Sequence, residues 1–132
     1  MRNIFFSIAA LFICSVSFAQ TNQQPMTEQE VLTLLCHKWE YKEYLSDGQK
    51  LPYPGKWIDA YLLFKSDGTI IKREDGEEIA GKWSYNHKRI ILTIEFKNEK
   101  ERLRIKNIST TEFMYREYDE PPGFSIVMIR AD

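Results

Sequence analysis

Two histidines and two cysteines are all that this chain offers for soft metal ligation or for thiol and imidazole catalysis. Cys36 and His37 are adjacent, so on a helix they point in different directions. His87 stands far along the chain in a turn, and no Cys-x-x-Cys or His-x-x-x-His spacing occurs. Asp47-Gly48, Asp67-Gly68 and Asp75-Gly76 lack the alternating carboxylates of a calcium loop and read as turns. Cys36 falls on the apolar face of a predicted helix, where a thiol is inert. Glu77 and Glu78 would diverge on a strand and make a poor acid/base pair. Asn107-Ile108-Ser109 matches a glycosylation sequon, but the match carries no weight in a chain of bacterial type. The residues therefore point away from an enzyme and call for no metal and no cofactor. An enzyme using a lumenal carboxylate, Glu43 or Glu95, ranks last. Recognition is the chemistry left. Arg116 and Arg130, with Tyr115 or Tyr118 nearby, could anchor a carboxylate head group if either points inward.

The elements that would position these groups are short. Thr27-Glu28-Gln29-Glu30 fits a capping box, with Met26 and Val31 placed as a hydrophobic staple. A helix over Glu28 to His37 follows, with Leu32, Leu35 and Cys36 on one face. It is too short to stand alone and should plug one end of whatever follows. Eight apolar runs come next, each bounded by turn residues. They are Lys38 to Tyr44, Ala60 to Lys65, Thr69 to Arg73, Glu78 to Tyr85, Arg89 to Phe96, Lys100 to Ile108, Glu112 to Tyr118 and Phe124 to Arg130. Short loops force neighbours to pair antiparallel, and eight such strands can close and remove their edges. The expected architecture is all-β: an eight-stranded antiparallel up-and-down barrel with a short N-terminal helix.

Within that frame the aromatic residues are the ligand candidates. Trp39, Tyr41 and Glu43 alternate onto one side of the first strand. Trp83 shares a face with Ile79, Gly81 and Tyr85, and Gly81 suggests a bend or the close approach of an indole. Trp39 and Trp83 are first choices for the barrel floor. The long connection from Leu45 to Asp59 carries Tyr53, Trp57 and Ile58, more apolar bulk than a connector needs, so it should fold over a mouth. The ligand-binding set is thus Trp39, Tyr53, Trp57, Trp83, Tyr115, Arg116 and Arg130. Tyr53, Trp57 and Tyr118 could instead form an exposed patch for a protein partner.

The 132 residues suit one domain. Arg2, the apolar run Ile4 to Val16 and the small residues Ser17 and Ala19 read as a signal peptide over residues 1–19. Residues 20–26 read as a flexible lead-in and 27–132 as the domain. The apolar run is too short for an ordinary membrane span, so no stable span should remain after cleavage. A retained anchor and a lipoprotein at Cys14 are alternatives, though Ile13 is a poor residue before a lipidated cysteine. The expected address is the periplasm or beyond. Removing Arg2 takes 18 basic and 19 acidic residues to 17 and 19, a net charge near −2 with no basic cluster for nucleic acid. Cys36 alone remains, so no intrachain disulfide holds the fold.

Three segments resemble the bacterial lipocalin-like family of small exported domains. They are Leu34-Leu35-Cys36-His37-Lys38-Trp39, Leu63-Phe64-Lys65-Ser66-Asp67-Gly68-Thr69 and Gly81-Lys82-Trp83-Ser84-Tyr85. The resemblance spans Val31 to Arg130. Lipocalins proper open the first strand with Gly-x-Trp, and here His37 replaces the glycine while Trp39 is kept. The resemblance implies a barrel that binds a small hydrophobic molecule without catalysis. The expected role is a non-catalytic exported protein with a small apolar or amphipathic ligand. The alternative is a cell-envelope interaction module with a fully packed core and an envelope protein as partner.

Overall fold

A computed structural model describes residues 24–52 and 57–132. The leader, Cys14 within it, and Tyr53 lie outside the described residues. Helix α1 (Glu28–Leu35) is followed by β1 (Lys38–Ser46), β2 (Gln49–Leu51), β3 (Tyr61–Phe64), β4 (Thr69–Glu74) and β5 (Glu77–Asn86). Then come β6 (Ile91–Phe96), β7 (Glu99–Ile108), β8 (Glu112–Glu117) and β9 (Phe124–Arg130). Neighbours pair antiparallel in chain order, and β1 pairs β9 to close the wall. The barrel is eight-stranded: β1 and β3 to β9. β2 is an addition. It arises inside the segment read as a long connection and pairs Tyr44 to Ser46 of β1, above the point where β3 leaves that edge.

The capping box forms as its residue types demand. The Glu30 N–H donates to Thr27 Oγ1 at 3.2 Å, and the Thr27 N–H donates to Glu30 Oε2 at 2.8 Å. The helix ends at Leu35, two residues before the expected stop. Val31 and Leu35 are its buried residues, whereas Leu32 and Cys36 are half-buried.

Two β-bulges decide which side chains face inward. β1 shifts register between Tyr41 and Glu43, so Tyr41 and Tyr44 sit opposite the core residues Met128 and Ile126. Glu43 is turned to the outer face, opposite Val127, and its Oε1 lies 2.8 Å from Lys50 Nζ. The expected Trp39–Tyr41–Glu43 stripe therefore fails at its third member, because an extra residue breaks the period of two. A second shift, between Ile105 and Asn107 in β7, lets Ile108 join the core opposite Phe113.

Chain direction gives the barrel two unlike ends. The turns near residues 65–68, 87–90 and 109–111 gather at the helix end, here the floor. Those near 47–48, 75–76, 97–98 and 118–123 gather at the other end, the mouth. The floor half is solid. Trp39, Phe64, Ile70, Leu92, Phe113 and Met128 are each at most 2% exposed and form one cluster with Leu35 of the helix. Arg89 and Ile90, expected at the start of the fifth strand, lie in the turn before it, where Ile90 has φ +56° and is exposed. His37, which stands where lipocalins proper have glycine, carries its side chain to the floor rim. There its Nδ1 lies 3.3 Å from Asp132 Oδ2.

Candidate ligand site at the barrel mouth

The mouth half is not filled. A cavity of about 80 Å³ lies inside the wall, bounded by Leu62, Ile94, Leu103 and Ile126 below and by Trp57 above. Its polar lining comes from strand ends that point inward by ordinary alternation. Lys72 and Glu74 continue the inward row of Ile70 on β4. Glu101 precedes Leu103 by two on β7, and Glu117 follows Phe113 and Tyr115 on β8. Tyr41 comes from β1.

Trp57 is held by ring contacts. Its indole stacks on Tyr41 with centroids 4.5 Å apart and meets Tyr44 edge-on at 5.8 Å. Tyr44 in turn stacks on Phe124 at 5.7 Å. These rings wall a second, more open chamber of about 240 Å³, which also touches Arg116, Glu117, Glu120 and Ile126. The two spaces share Trp57, Glu117 and Ile126, so they lie side by side with the indole between them.

Electrostatics inside the cavity are concentrated. Lys72 is 9% exposed. Its ammonium lies 3.5 Å from Glu99, 3.9 Å from Glu74 and 4.5 Å from the Phe96 ring centroid. The hydroxyls of Tyr41 and the buried Tyr115 are paired with each other. Burial pushes both phenols well above their ordinary value, and the Glu101 and Glu117 carboxylates push in the same direction, joined at Tyr41 by Glu74.

A pH dependence follows. Each phenol is neutral in the fold, whereas the unfolded chain ionises it near pH 10. The native pKa values are raised, so the stability they carry is intact below pH 10 and is lost as pH rises through the raised values. With two such groups the slope is about 2.7 kcal/mol per pH unit. Urea unfolding at rising pH, read beside tyrosinate absorbance, should show this fall, and Tyr41→Phe should make it shallower.

The seven residues singled out from sequence do not converge. Trp57 and Tyr115 meet in the inner cavity, and Arg116 borders the outer chamber, where its Nη1 donates to the Glu120 carbonyl at 3.3 Å. Trp39 is in the floor cluster, with no exposed area. Trp83 lies toward the floor, edge-on to Phe64 at 5.6 Å, and its N–H donates to the Lys65 carbonyl at 2.9 Å. Arg130 is at the floor end, 3.0 Å from Asp132. Glu95 points outward beside Lys100 at 3.2 Å. Tyr118 lies against Arg102, 4.5 Å from its guanidinium, and not beside Trp57 in a patch. Lys72, Glu74, Glu101 and Glu117 were missed, although period-two counting from Ile70, Leu103 and Tyr115 places all four inside.

No protein-family profile matches the sequence, and no curated protein matches it. Solved structures do. The chain is similar to a lipocalin-like protein from Bacteroides uniformis ATCC 8492, at 14% identity and a TM-score of 0.54, over 74% of this chain and 98% of that one. It is also similar to a DUF4847 family protein from Bacteroides vulgatus ATCC 8482, at 11% identity and a TM-score of 0.56, over 75% and 96%. An eight-stranded closed wall, a helix across the floor and these two likenesses together identify the fold as a lipocalin-like barrel.

Proposed function

We propose that this chain is an exported, non-catalytic binding protein that takes a small amphipathic ligand at the mouth of the barrel. One observation carries the reading. A 240 Å³ aromatic chamber adjoins an 80 Å³ polar cavity at Trp57, while the floor half is closed by packed side chains. A ligand lodged there would bury an apolar body among Trp57, Tyr44 and Phe124 and present a polar head to Lys72, Tyr41 and the glutamates. The site is shallower than a greasy lumen would be, so it suits an amphipathic molecule better than a wholly apolar one. Export rests on the residues 1–19 pattern.

Native mass spectrometry of protein purified from its source tests this. The expected result is a small molecule that co-purifies with the chain and is lost in Trp57→Ala, whose stacking partner role on Tyr41 ends with the indole. Recovery of a polypeptide with no small molecule would favour an envelope interaction module instead.

A further inference from the structure

We infer that the outer wall over β7 and β8 is a second site, on the outside of the barrel, that takes a linear acidic polysaccharide. No basic run marks it in the sequence. Lys100, Arg102 and Arg104 alternate along β7 with Glu101 and Leu103, which face the lumen, so period two gathers the cations outside. Lys106, the residue that the β7 bulge inserts, reaches across β8 to Ser125 Oγ on β9 at 2.6 Å. Arg116 of β8 stands directly opposite Arg104. Lys82 of β5 stands opposite Glu95, the carboxylate that holds Lys100. The face thus carries six cations. Among the described residues its paired carboxylates are Glu95 and Asp119, the latter 3.6 Å from Arg102. That leaves an excess of four positive charges on one face of a chain whose formal net charge is −1.

Three of the six cations meet only neutral groups among the described residues. Arg116 Nη1 donates to the Glu120 carbonyl, Lys106 donates to the Ser125 hydroxyl, and Arg104 lies 5.7 Å from the Tyr118 ring centroid. The Arg104 Nε is buried and has no acceptor among the described residues. Two guanidiniums directly opposite on one sheet face repel, and a buried N–H without an acceptor adds a second cost. Neither feature serves the fold. An anion laid across Arg104, Lys106 and Arg116 offsets the repulsion and gives the guanidiniums charged acceptors.

The surroundings choose among anions. From Lys100 to Lys106 the cations span roughly 20 Å of strand, a line that suits a repeating polyanion and not a single ion. Single-stranded nucleic acid needs exposed rings on which its bases stack. The ring on this face, Tyr118, is half-buried and lies 4.5 Å from the Arg102 guanidinium. A membrane surface is held by apolar anchors as well as by charge, and among the described residues no exposed large apolar side chain stands on β6, β7 or β8. Ser84, Asn86 and Asn107 are exposed on this face and offer hydrogen bonds to sugar hydroxyls.

A heparin octasaccharide serves as the acidic probe, with maltooctaose as a neutral sugar of equal length and octathymidylate as the nucleic acid. Each is titrated calorimetrically into the folded chain at low salt. Heparin should bind about tenfold tighter than octathymidylate, and maltooctaose should not bind. Arg104→Gln and Lys106→Gln change residues that border neither space at the mouth. Each should weaken heparin about three- to tenfold and make its salt dependence shallower by about one ion. Lys50→Gln removes the same charge from β2 and should leave heparin binding unchanged. Arg104→Gln should also hold or raise Tm, because it removes a repulsion and an unmet donor. If heparin does not bind, or maltooctaose matches it, the assignment falls. If octathymidylate matches heparin, the face reads a phosphate backbone and the polysaccharide falls. If Lys50→Gln weakens heparin as much as Arg104→Gln does, the attraction is diffuse and there is no site on this wall. If Arg104→Gln lowers Tm by several degrees, its guanidinium serves the fold and the assignment falls. Binding at the mouth stands or falls separately from all of these.

Discussion

Trp39→Ala should lower stability by about 3–5 kcal/mol, a drop in Tm on the order of 15–25 °C. Trp39 is fully buried and touches the two parts of the molecule that must meet. Its ring lies 5.7 Å from Phe113 on the barrel side. Its indole N–H donates to the Leu35 carbonyl at 3.0 Å on the helix side. Helix ends leave carbonyls without partners inside the helix, and this one is satisfied by the strand that follows. Truncation opens a void where the short helix has no second anchor of comparable size. Trp39→Phe separates the two contributions. It keeps a ring against Phe113 and removes only the donor. The Leu35 carbonyl would still accept from the His37 N–H at 2.7 Å, so this variant should cost about 1–2 kcal/mol. Urea unfolding of both variants, with helix content followed by circular dichroism, checks the order. Equal losses would mean that the hydrogen bond and not the packing holds the floor.

Gly81→Ala should cost about 3 kcal/mol, which is large for a single methyl. A Cβ at this position would stand 2.2 Å from the Glu95 carbonyl oxygen and 2.6 Å from Cδ1 of Phe96. The first obstacle is backbone of the paired strand β6, so it cannot rotate away. The second is the ring that lies 4.5 Å from the Lys72 ammonium. The glycine was expected to mark a bend or the close approach of an indole. What stands close is the β6 backbone and a phenylalanine ring, not an indole. Gly123 makes the contrast. Its nearest obstacle is the Asp47 carboxylate, a side-chain end that can swing aside. Pairing Gly81→Ala with Phe96→Ala should recover only part of the loss, since the carbonyl clash remains. Full recovery would show that the ring alone sets the limit.

The capping box, the turns and β9 were legible because each depends on a few neighbouring residues. Thr27 with Glu30 sets the start of the helix, and Asp75-Gly76 makes a turn through two adjacent positive φ angles. Alternation found the inner row of β6 for the same reason, whereas on β8 both faces carry bulk and only closure shows that Phe113 and Tyr115 face inward. It failed at Glu43, where one bulged residue exchanges the inner place for Tyr44. No local signal marks that residue. The bulge appears only when β1 is laid against β9, more than eighty positions away.

The site divides along the same line. Sequence by itself determined a strand-rich chain with a capped helix, a large aromatic complement and a loop too apolar to be idle, since periodicity, turn chemistry and composition are properties of short stretches. Only the tertiary structure decided which half of the barrel is solid and which is hollow. Whether Lys72 sits beside Glu99, or Tyr115 meets Tyr41, depends on closure and stagger of the whole wall. Closure brings the inward strand ends of β4, β7 and β8 to one mouth, and so places charged groups where an apolar lumen was expected.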